Sequence, residues 1–372
     1  MDFNFSEALR RLPAGSAFRV ANSARPPVDY LFNSLLPERN EWEYQVSSGN
    51  MTVKATMAGM AAMDSPYPET GLIEATSFNE STCKIANSAA LTEGSIRKLQ
   101  QMLMQLAISS QPTVQTIQQE ALNFLDKIIV QSHLDTTEWL RGQALAYGAI
   151  DWTFGSTRLV VDYGIPTANK LTARTGNDGY GGSASKFWDD VRTARRRLKN
   201  NVRAFIAHPN TIDMIRYNSV NNLVVVSEGQ GTITFQKKQT TTDGSAINFL
   251  SSDSGDVVTL VSYGLEGEVY DPTNVGKTLN IPFMPVGKMI AIGNNAGTSY
   301  VVGAGSNPTP IENVLGYTHI APTAEGGGRP GRWADVYVPE AAPWSFAGRG
   351  AANLLPVIEA NEKIVIMTTD MV

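Results

Sequence analysis

Histidine and cysteine are the residues of this sequence that could bind a metal or act as nucleophiles, and they are few and scattered. The single cysteine, Cys83, excludes a disulfide framework within the chain and any site built from several of its cysteines. The three histidines, His133, His208 and His319, lie far apart and lack the paired spacings of zinc sites. His133 falls within a helical pattern, where packed histidines outnumber catalytic ones. The sequence therefore predicts no metal and no cofactor.

Two glycine clusters could in principle hold a phosphate through backbone N–H groups. The first, residues 176–183, precedes a predicted helix, which is where such N–H groups bind anions. It follows no strand directly, however, and lacks the glycine, lysine and serine or threonine order of a phosphate-binding loop. The second cluster, residues 326–331, lies between predicted strands. The sequence favours a surface loop for the first and a turn for the second.

A run of three arginines is the strongest local concentration of charge. Arg195, Arg196 and Arg197 crowd the second half of a predicted helix. The chain has 30 basic and 35 acidic residues, a net charge of −5, so carboxylates on another subunit are favoured as partners over DNA. The alternative is a solvated helix face. No spacing pairs the scattered carboxylates for acid–base work, and no G-x-S-x-G elbow occurs, so the sequence predicts a protein that is not an enzyme.

Composition narrows the class of protein further. The chain has 372 residues, of which 42% are hydrophobic and only 17% charged. A low charge content fits surface that becomes buried between subunits, because interface cores are depleted in charge. The sequence pI of about 5.4 argues against a dedicated nucleic-acid binder. The first residues do not resemble a secretory signal, and no apolar run is long enough to cross a bilayer, so we expect synthesis in the cytoplasm and no membrane contact.

The first 42 residues contain too many breakers for a folded unit of their own. Five prolines and glycines interrupt every helical pattern beyond residues 6–12. Residues 28–36 are nevertheless too apolar for a free tail. The segment is therefore predicted to be an extended arm that packs on another subunit, with an ordered strap on its own domain as the alternative.

Residues 43–90 show two weak strand patterns on either side of a long polar turn. Proline and glycine at residues 64–71 favour the turn. An isolated hairpin is only marginally stable in water, so this one is expected to lie against another surface.

The longest helical pattern begins at Pro112 and ends at Gly148. Its apolar residues recur at steps of three and four, and Gly142 or residues 135–137 could break it into two helices. Beyond it the sequence alternates short strands and helices and then becomes almost entirely strand. The predicted elements are a hairpin at 151–163, a helix at 183–200, a strand at 202–207, a helix at 209–219 capped by Asn210, strands at 223–226 and 257–263, and strands from Lys288 onward.

Several short sequence segments, in the order in which they occur, resemble those of a known family. They are Val28–Phe32, Asp162–Pro166, the helix around Phe187–Val191 followed by Val202–Pro209, and the stretch Trp344–Met367 with its Leu354–Val357 core. Together they resemble the lambda-like capsid protein E family of tailed-phage major capsid proteins, which have the Hong Kong 97-like fold.

The resemblance implies an α+β fold with four regions. These are an N-terminal arm (1–42), an extended β-hairpin loop (43–90), a peripheral domain with a long spine helix (91–160 and 290–372) and an axial α/β domain (161–289). It also implies a virion protein that assembles with itself into hexamers and pentamers of an icosahedral head around double-stranded DNA. A separate scaffold protein, a portal and a decoration protein are the further partners it suggests. No lysine–asparagine crosslink is predicted.

Inter-subunit contacts are expected in three places if the resemblance holds. The arm would use Leu31, Phe32, Leu35 and Leu36. The extended loop would use Met57, Met60, Met63 and Tyr67, because methionine adapts to changing surfaces. Capsomer salt bridges would use Arg195, Arg196 and Arg197. The alternative for the apolar residues is the core of their own chain. Deleting residues 1–42 is then expected to leave a soluble protein that forms no shells.

Two other functions remain open on the sequence alone. One is an encapsulin-like compartment shell with the same fold, and the other is an α/β enzyme centred on residues 161–289.

Overall fold

The computed structural model describes a mixed α+β chain in which strands dominate. The described residues are 30–54, 72–92, 129–154, 157–229, 232–236, 246–251, 256–270, 278–294, 299–301, 309–311, 314–337 and 345–370. Four described segments are α-helical: α1 (Leu31–Leu35), α2 (Gln131–Tyr147), α3 (Phe187–Arg197) and α4 (Pro209–Tyr217). No described helix is both long and apolar enough to cross a membrane.

The described strands fall into two large sheets and four two-stranded ones. The larger sheet has seven strands in the order β20-β14-β7-β11-β10-β8-β9. Its strands are β7 (Val202–Ala207), β8 (Leu223–Gly229), β9 (Thr232–Gln236), β10 (Ala246–Ser251), β11 (Val257–Ser262), β14 (Lys288–Gly293) and β20 (Ile364–Thr368). The other has five strands, with β1, β17, β19 and β18 in that order and β4 also pairing with β19. Its strands are β1 (Glu38–Asn40), β4 (Cys83–Thr92), β17 (Gly316–Ala321), β18 (Trp333–Tyr337) and β19 (Ser345–Ile358).

Four hairpins complete the described strands. Each consists of two strands paired with one another. They are β2 (Gln45–Lys54) with β3 (Leu72–Ser81), β5 (Ala149–Phe154) with β6 (Thr157–Asp162), β12 (Glu266–Tyr270) with β13 (Thr278–Pro282), and β15 (Ser299–Val301) with β16 (Thr309–Ile311).

The seven-stranded sheet separates two hydrophobic cores. Successive residues of a strand point to opposite faces, and β14 follows this rule. Ile290 and Ile292 face the core that contains α2, whereas Met289 and Ala291 face the core that contains α3 and α4. Because both faces are covered, the central strands are almost continuously apolar, as β14 shows.

Helix α2 is the element on which the first core is organised. It is continuous from Gln131 to Tyr147, so neither Gly142 nor residues 135–137 breaks it. The predicted end at Gly148 is confirmed, because this residue is left-handed (φ 67°) and its N–H donates to the carbonyl of Ala144. The earlier part of the predicted helix, residues 112–128, lies outside the described residues.

The predicted hairpin at 151–163, the helix at 183–200 and the strands are found close to their expected bounds. One detail of the prediction is wrong: helix α4 is capped by His208 and not by Asn210. The Nδ1 of His208 accepts a hydrogen bond from the N–H of Asn210 at 3.1 Å. Pro209 is the first residue of the helix, a position that suits proline because the missing N–H is not needed there.

Two strands cross the expected domain boundaries. Strand β20 lies at the end of the chain but pairs with β14 in the sheet of the middle region. Strand β4 was expected within the extended loop, yet it pairs along its whole length with β19 in the five-stranded sheet. Of the strands within residues 43–90, β2 and β3 therefore form a separate hairpin, whereas β4 belongs to the five-stranded sheet.

Candidate inter-subunit surfaces

The apolar residues of the arm are the first of the three expected contact sets. Phe32 and Leu36 have no exposed surface and Leu35 only 3%, and all three belong to the core around α2. Leu31 is partly buried against the same core. The ring of Phe32 makes an edge-to-face contact with Tyr263 at 4.7 Å. In this structure Phe32, Leu35 and Leu36 therefore fit the intrachain alternative, because buried side chains have no surface to offer a neighbour.

The burial of these side chains also changes what the truncation of residues 1–42 can show. Deleting residues 1–42 would remove core side chains together with the arm, so it cannot separate assembly from folding. Residues 1–29 lie outside the described part of the chain.

A buried network of charges fastens the arm to α2. The Phe32 N–H donates to Glu138 Oε1 at 2.7 Å, and Tyr263 donates to the same oxygen at 2.7 Å. Arg141 lies within 3.1 Å of Glu138 and 3.4 Å of Glu38, and its Nε donates to Thr318. Both Glu138 and Arg141 are almost completely buried. Such a pair is stable only because each charge has several hydrogen-bond partners.

Arg332, which directly precedes β18, completes this network. Its guanidinium binds both oxygens of Glu38. Burial alone would raise the pKa of the Glu38 carboxyl, but the hydrogen bonds and charge of Arg332, with the charge of Arg141, hold it below its ordinary value. Burial raises the pKa of Glu138, and Arg141 offsets only part of that effect. This network could not be predicted from the sequence, since its members come from five separated segments.

The extended-loop residues of the prediction, Met57, Met60, Met63 and Tyr67, lie outside the described residues. The base of the loop is described. Thr82 donates through both its N–H and its hydroxyl to the carbonyl of Tyr44, and His319 lies 2.8 Å from the carbonyl of Glu43. Beside these contacts Trp42 and Tyr44 are 70% and 53% exposed. Aromatic residues are enriched in interfaces, so these two exposed side chains are candidates for a contact surface, one that no pattern in the sequence had indicated.

The arginine run has two different environments. Arg195 lies 3.5 Å from Asp256 of its own chain, and Arg192 binds the same carboxylate at 2.9 Å. Arg196 donates to Thr193 but is exposed, as is Arg197. The structure thus assigns Arg195 an intrachain partner and leaves the charges of Arg196 and Arg197 at the surface.

The surroundings of His133 and Cys83 fit structural roles for both residues. Burial, together with the charge of Arg332, lowers the pKa of His133 to about 4, so it is neutral at physiological pH. Cys83 is a partly buried free thiol whose pKa is raised by burial. Within the described residues no group of three histidine, cysteine or acidic side chains could hold a metal.

The first glycine cluster is occupied by a carboxylate of the chain itself. The N–H of Gly176 donates to Asp370, and the N–H of Tyr180 donates to Thr369 at 3.0 Å. These contacts tie residues 176–180 to the end of β20. The cluster therefore positions the chain before α3, and the N–H of Gly176 is not free for a phosphate.

The long hairpin, the continuous helix α2 and the two large sheets define a class of protein. This is the Hong Kong 97-like fold of viral capsid proteins. The structure of a capsid protein of a prophage from Escherichia coli CFT073, described as putative, is similar over 100% of both chains, with a TM-score of 0.52 and 9% identity. The procapsid of satellite phage P4 matches over 96% of this chain and 91% of its own, with a TM-score of 0.45 and 8% identity.

Sequence comparison identifies the family within that class. The family model of phage major capsid protein E matches residues 60–316, more than half of the chain. The chain therefore belongs to the phage major capsid protein E family, which implies a structural role in the virion. The SrpI encapsulin of Synechococcus elongatus PCC 7942 matches over 97% of this chain and 96% of its own, with a TM-score of 0.39 and 9% identity. No curated protein matches the sequence.

Proposed function

We propose that copies of this chain associate into hexamers and pentamers that close into an icosahedral phage head around double-stranded DNA. The observation that carries the proposal is the hairpin β2–β3. Its two ten-residue strands pair with each other and with no other described strand. Because a two-stranded hairpin of this length is marginal alone, contact with a neighbouring subunit would stabilise it.

We assign the contacts between subunits of the shell to side chains that are exposed in the single chain. Trp42 and Tyr44 would bury aromatic surface at the base of the hairpin, and each square ångström removed from water contributes about 25 cal/mol. Arg196 and Arg197 would meet carboxylates of the adjacent subunit in the capsomer. The loop residues Met57, Met60, Met63 and Tyr67 remain assigned to inter-subunit contacts.

The remaining partners are part of the same proposal. A separate scaffold protein, a portal and a decoration protein would act with the shell, and packaged DNA would be contacted without sequence preference. Synthesis in the host cytoplasm would precede assembly into the virion.

The test is electron microscopy of the expressed chain in negative stain, alone and with a candidate scaffold, after light scattering has given the particle size. We expect closed shells or ring-shaped capsomers. Nucleic acid or a scaffold should accompany the shells, whereas a co-purifying cargo protein would indicate an encapsulin-like compartment. A uniform monomer or dimer in both conditions would contradict the proposal.

Reversing the charges of Arg196 and Arg197 to glutamate is expected to abolish capsomers without unfolding the subunit. Both side chains are exposed, so the melting temperature should change little. Like charges facing the neighbour's carboxylates cost several kcal/mol at an interface. Particle size by light scattering is the readout. The matched control reverses Lys170 and Arg329, which are also exposed, and equal loss of assembly in the control would refute the assignment.

A further inference from the structure

A groove of about 420 Å³ runs beside α2, next to the hairpin β12–β13. Trp139 and Trp152 form an edge-to-face pair at 5.5 Å along it. Phe283 and Val269 add apolar surface. The acidic lining residues are Asp135, Glu266 and Glu268. No lysine, arginine or histidine is among the described residues that line the groove, so its negative charge is not compensated from within.

Glu266 and Glu268 stand at the outer rim of this groove. A side chain at the intervening Gly267 would lie 2.9 Å from the ring of Phe283, so that position of β12 points to α2. Successive residues of a strand point to opposite faces, so the two glutamates lie on the solvent side of β12. Both are exposed. Their carboxylates are therefore open to an occupant of the groove.

The rest of the groove lacks a hydrogen-bond acceptor. The indole nitrogen of Trp139 is buried, and its N–H has no acceptor among the described residues, although buried polar groups are normally hydrogen-bonded. Asp135 is engaged elsewhere, because it accepts hydrogen bonds from Tyr30 and Gln131. A guanidinium stacks well on tryptophan and binds carboxylates through parallel hydrogen bonds. The partner that fits is therefore a segment that carries arginines together with hydrogen-bond acceptors.

The end of α3 has this chemistry. Among the described helices, it is the one that ends in three consecutive arginines. Arg196 and Arg197 are exposed, and so is Lys199. The exposed side chains of Asn200 and Asn201 follow, and their amide oxygens are acceptors. The charges and the hydrogen-bonding groups of this end complement those of the groove.

The seven-stranded sheet keeps a chain from filling its own groove in this way. Trp139 and Phe283 belong to the core that contains α2, on one face of the sheet. Phe187 and Val191 of α3 belong to the core on the opposite face. The arginines and the groove of one chain are therefore on opposite sides of the sheet, and a second copy has to supply the arginines.

Two different patches on opposite sides of a subunit suit a head-to-tail contact. Each copy then offers the end of α3 to one neighbour and its groove to the other. Such a contact generates a ring when its rotation closes. A capsomer is a ring of this kind.

We propose that Arg196 and Arg197 of a neighbouring copy bind in this groove. Their guanidinium groups meet Glu266 and Glu268 and lie against the tryptophan pair. The inference rests on the proposed function, because it names the carboxylates that the capsomer arginines meet.

A charge exchange between two variants tests the proposal. One variant carries Arg196→Glu and Arg197→Glu, and the other carries Glu266→Arg and Glu268→Arg. We expect neither to form rings alone, because like charges then face each other at every contact. An equimolar mixture should form rings of six, since alternating variants place opposite charges at every contact. A ring of five cannot alternate, so the mixture should not close into shells.

The matched control for the groove variant carries Asp162→Arg and Asp178→Arg, which are exposed positions outside the groove. It should form rings alone and should not restore rings to the arginine variant. Normal rings from the groove variant alone would overturn the proposal. A mixture without rings, or equal rescue by the control, would do the same.

An interchain disulfide tests the contact without requiring rings. All chains carry Cys83→Ser, one carries Lys199→Cys, and its partner carries Val269→Cys or Val286→Cys. The two valines are 41% and 40% exposed, and only the first lines the groove. We expect the disulfide at position 269 to form about tenfold faster, because docking raises the local concentration of the thiols. Adding Arg196→Glu and Arg197→Glu to the chain with Lys199→Cys should remove most of this difference.

The two readouts separate the groove contact from the shell. Equal disulfide rates at positions 269 and 286, in a protein that forms shells, would contradict the groove contact and leave the shell standing. A faster disulfide at position 269, in a protein that forms no shells, would support the groove contact and contradict the shell.

Discussion

Replacing Arg141 by methionine is expected to lower the free energy of unfolding by about 3–5 kcal/mol. The guanidinium is 2% exposed and binds Glu138, Glu38 and Thr318. Methionine fills a similar volume but leaves the buried Glu138 carboxylate without its cation. Removing one partner of a buried pair is costly because the remaining charge keeps its burial penalty and loses the interaction that offset it. Urea unfolding of the dispersed subunit, followed by fluorescence, measures the loss.

The matched control is Arg158→Met. Arg158 binds Asp151 through two hydrogen bonds at 2.9 and 2.7 Å, a better geometry than that of Arg141, but both residues are about 60% exposed. We expect little change in the free energy of unfolding, because solvent already screens these charges. Adding Glu138→Gln to Arg141→Met should recover part of the loss, since the uncompensated charge is then gone. Equal losses at positions 141 and 158 would show that burial does not control the strength of these pairs.

The elements that local sequence patterns determine could be predicted. Strand pairs around short turns, such as β5–β6, and the end of α2 at Gly148 depend on residues within a few positions of one another. The strand patterns on either side of residues 64–71 indicated the hairpin β2–β3, and the family resemblance supplied the α+β arrangement. The cap of α4, which was predicted at Asn210, also depends on the local sequence. Pro209 favours the first position of a helix, and this preference could have identified His208 as the cap.

The side-chain partners could not be predicted, because they depend on residues far apart in the sequence. Glu38 lies 103 residues from Arg141 and 294 from Arg332, and no spacing connects them. In the sequence, an apolar residue such as Phe32 looks the same whether it packs on its own chain or on a neighbouring subunit. Only the fold shows that this one is in the core of its own chain.

Gly142 illustrates how a local rule and a distant contact can predict opposite effects. Glycine within a helix is less favourable than alanine by about 1 kcal/mol, so the sequence alone predicts that Gly142→Ala stabilises the protein. In the structure, the added methyl group would lie 2.0 Å from the carbonyl oxygen of Phe283 and 3.1 Å from the ring of Phe32. Helix α2 would have to move away from this backbone. We therefore expect Gly142→Ala to lower the free energy of unfolding by about 3 kcal/mol, in the upper range for overpacked cores.

The neighbouring Gln143→Ala is the control, because it makes the same kind of change toward a helix-forming residue on a less buried face of α2. It should alter stability by no more than about 0.5 kcal/mol. Stabilisation by Gly142→Ala would mean that α2 and Phe283 are not in close contact.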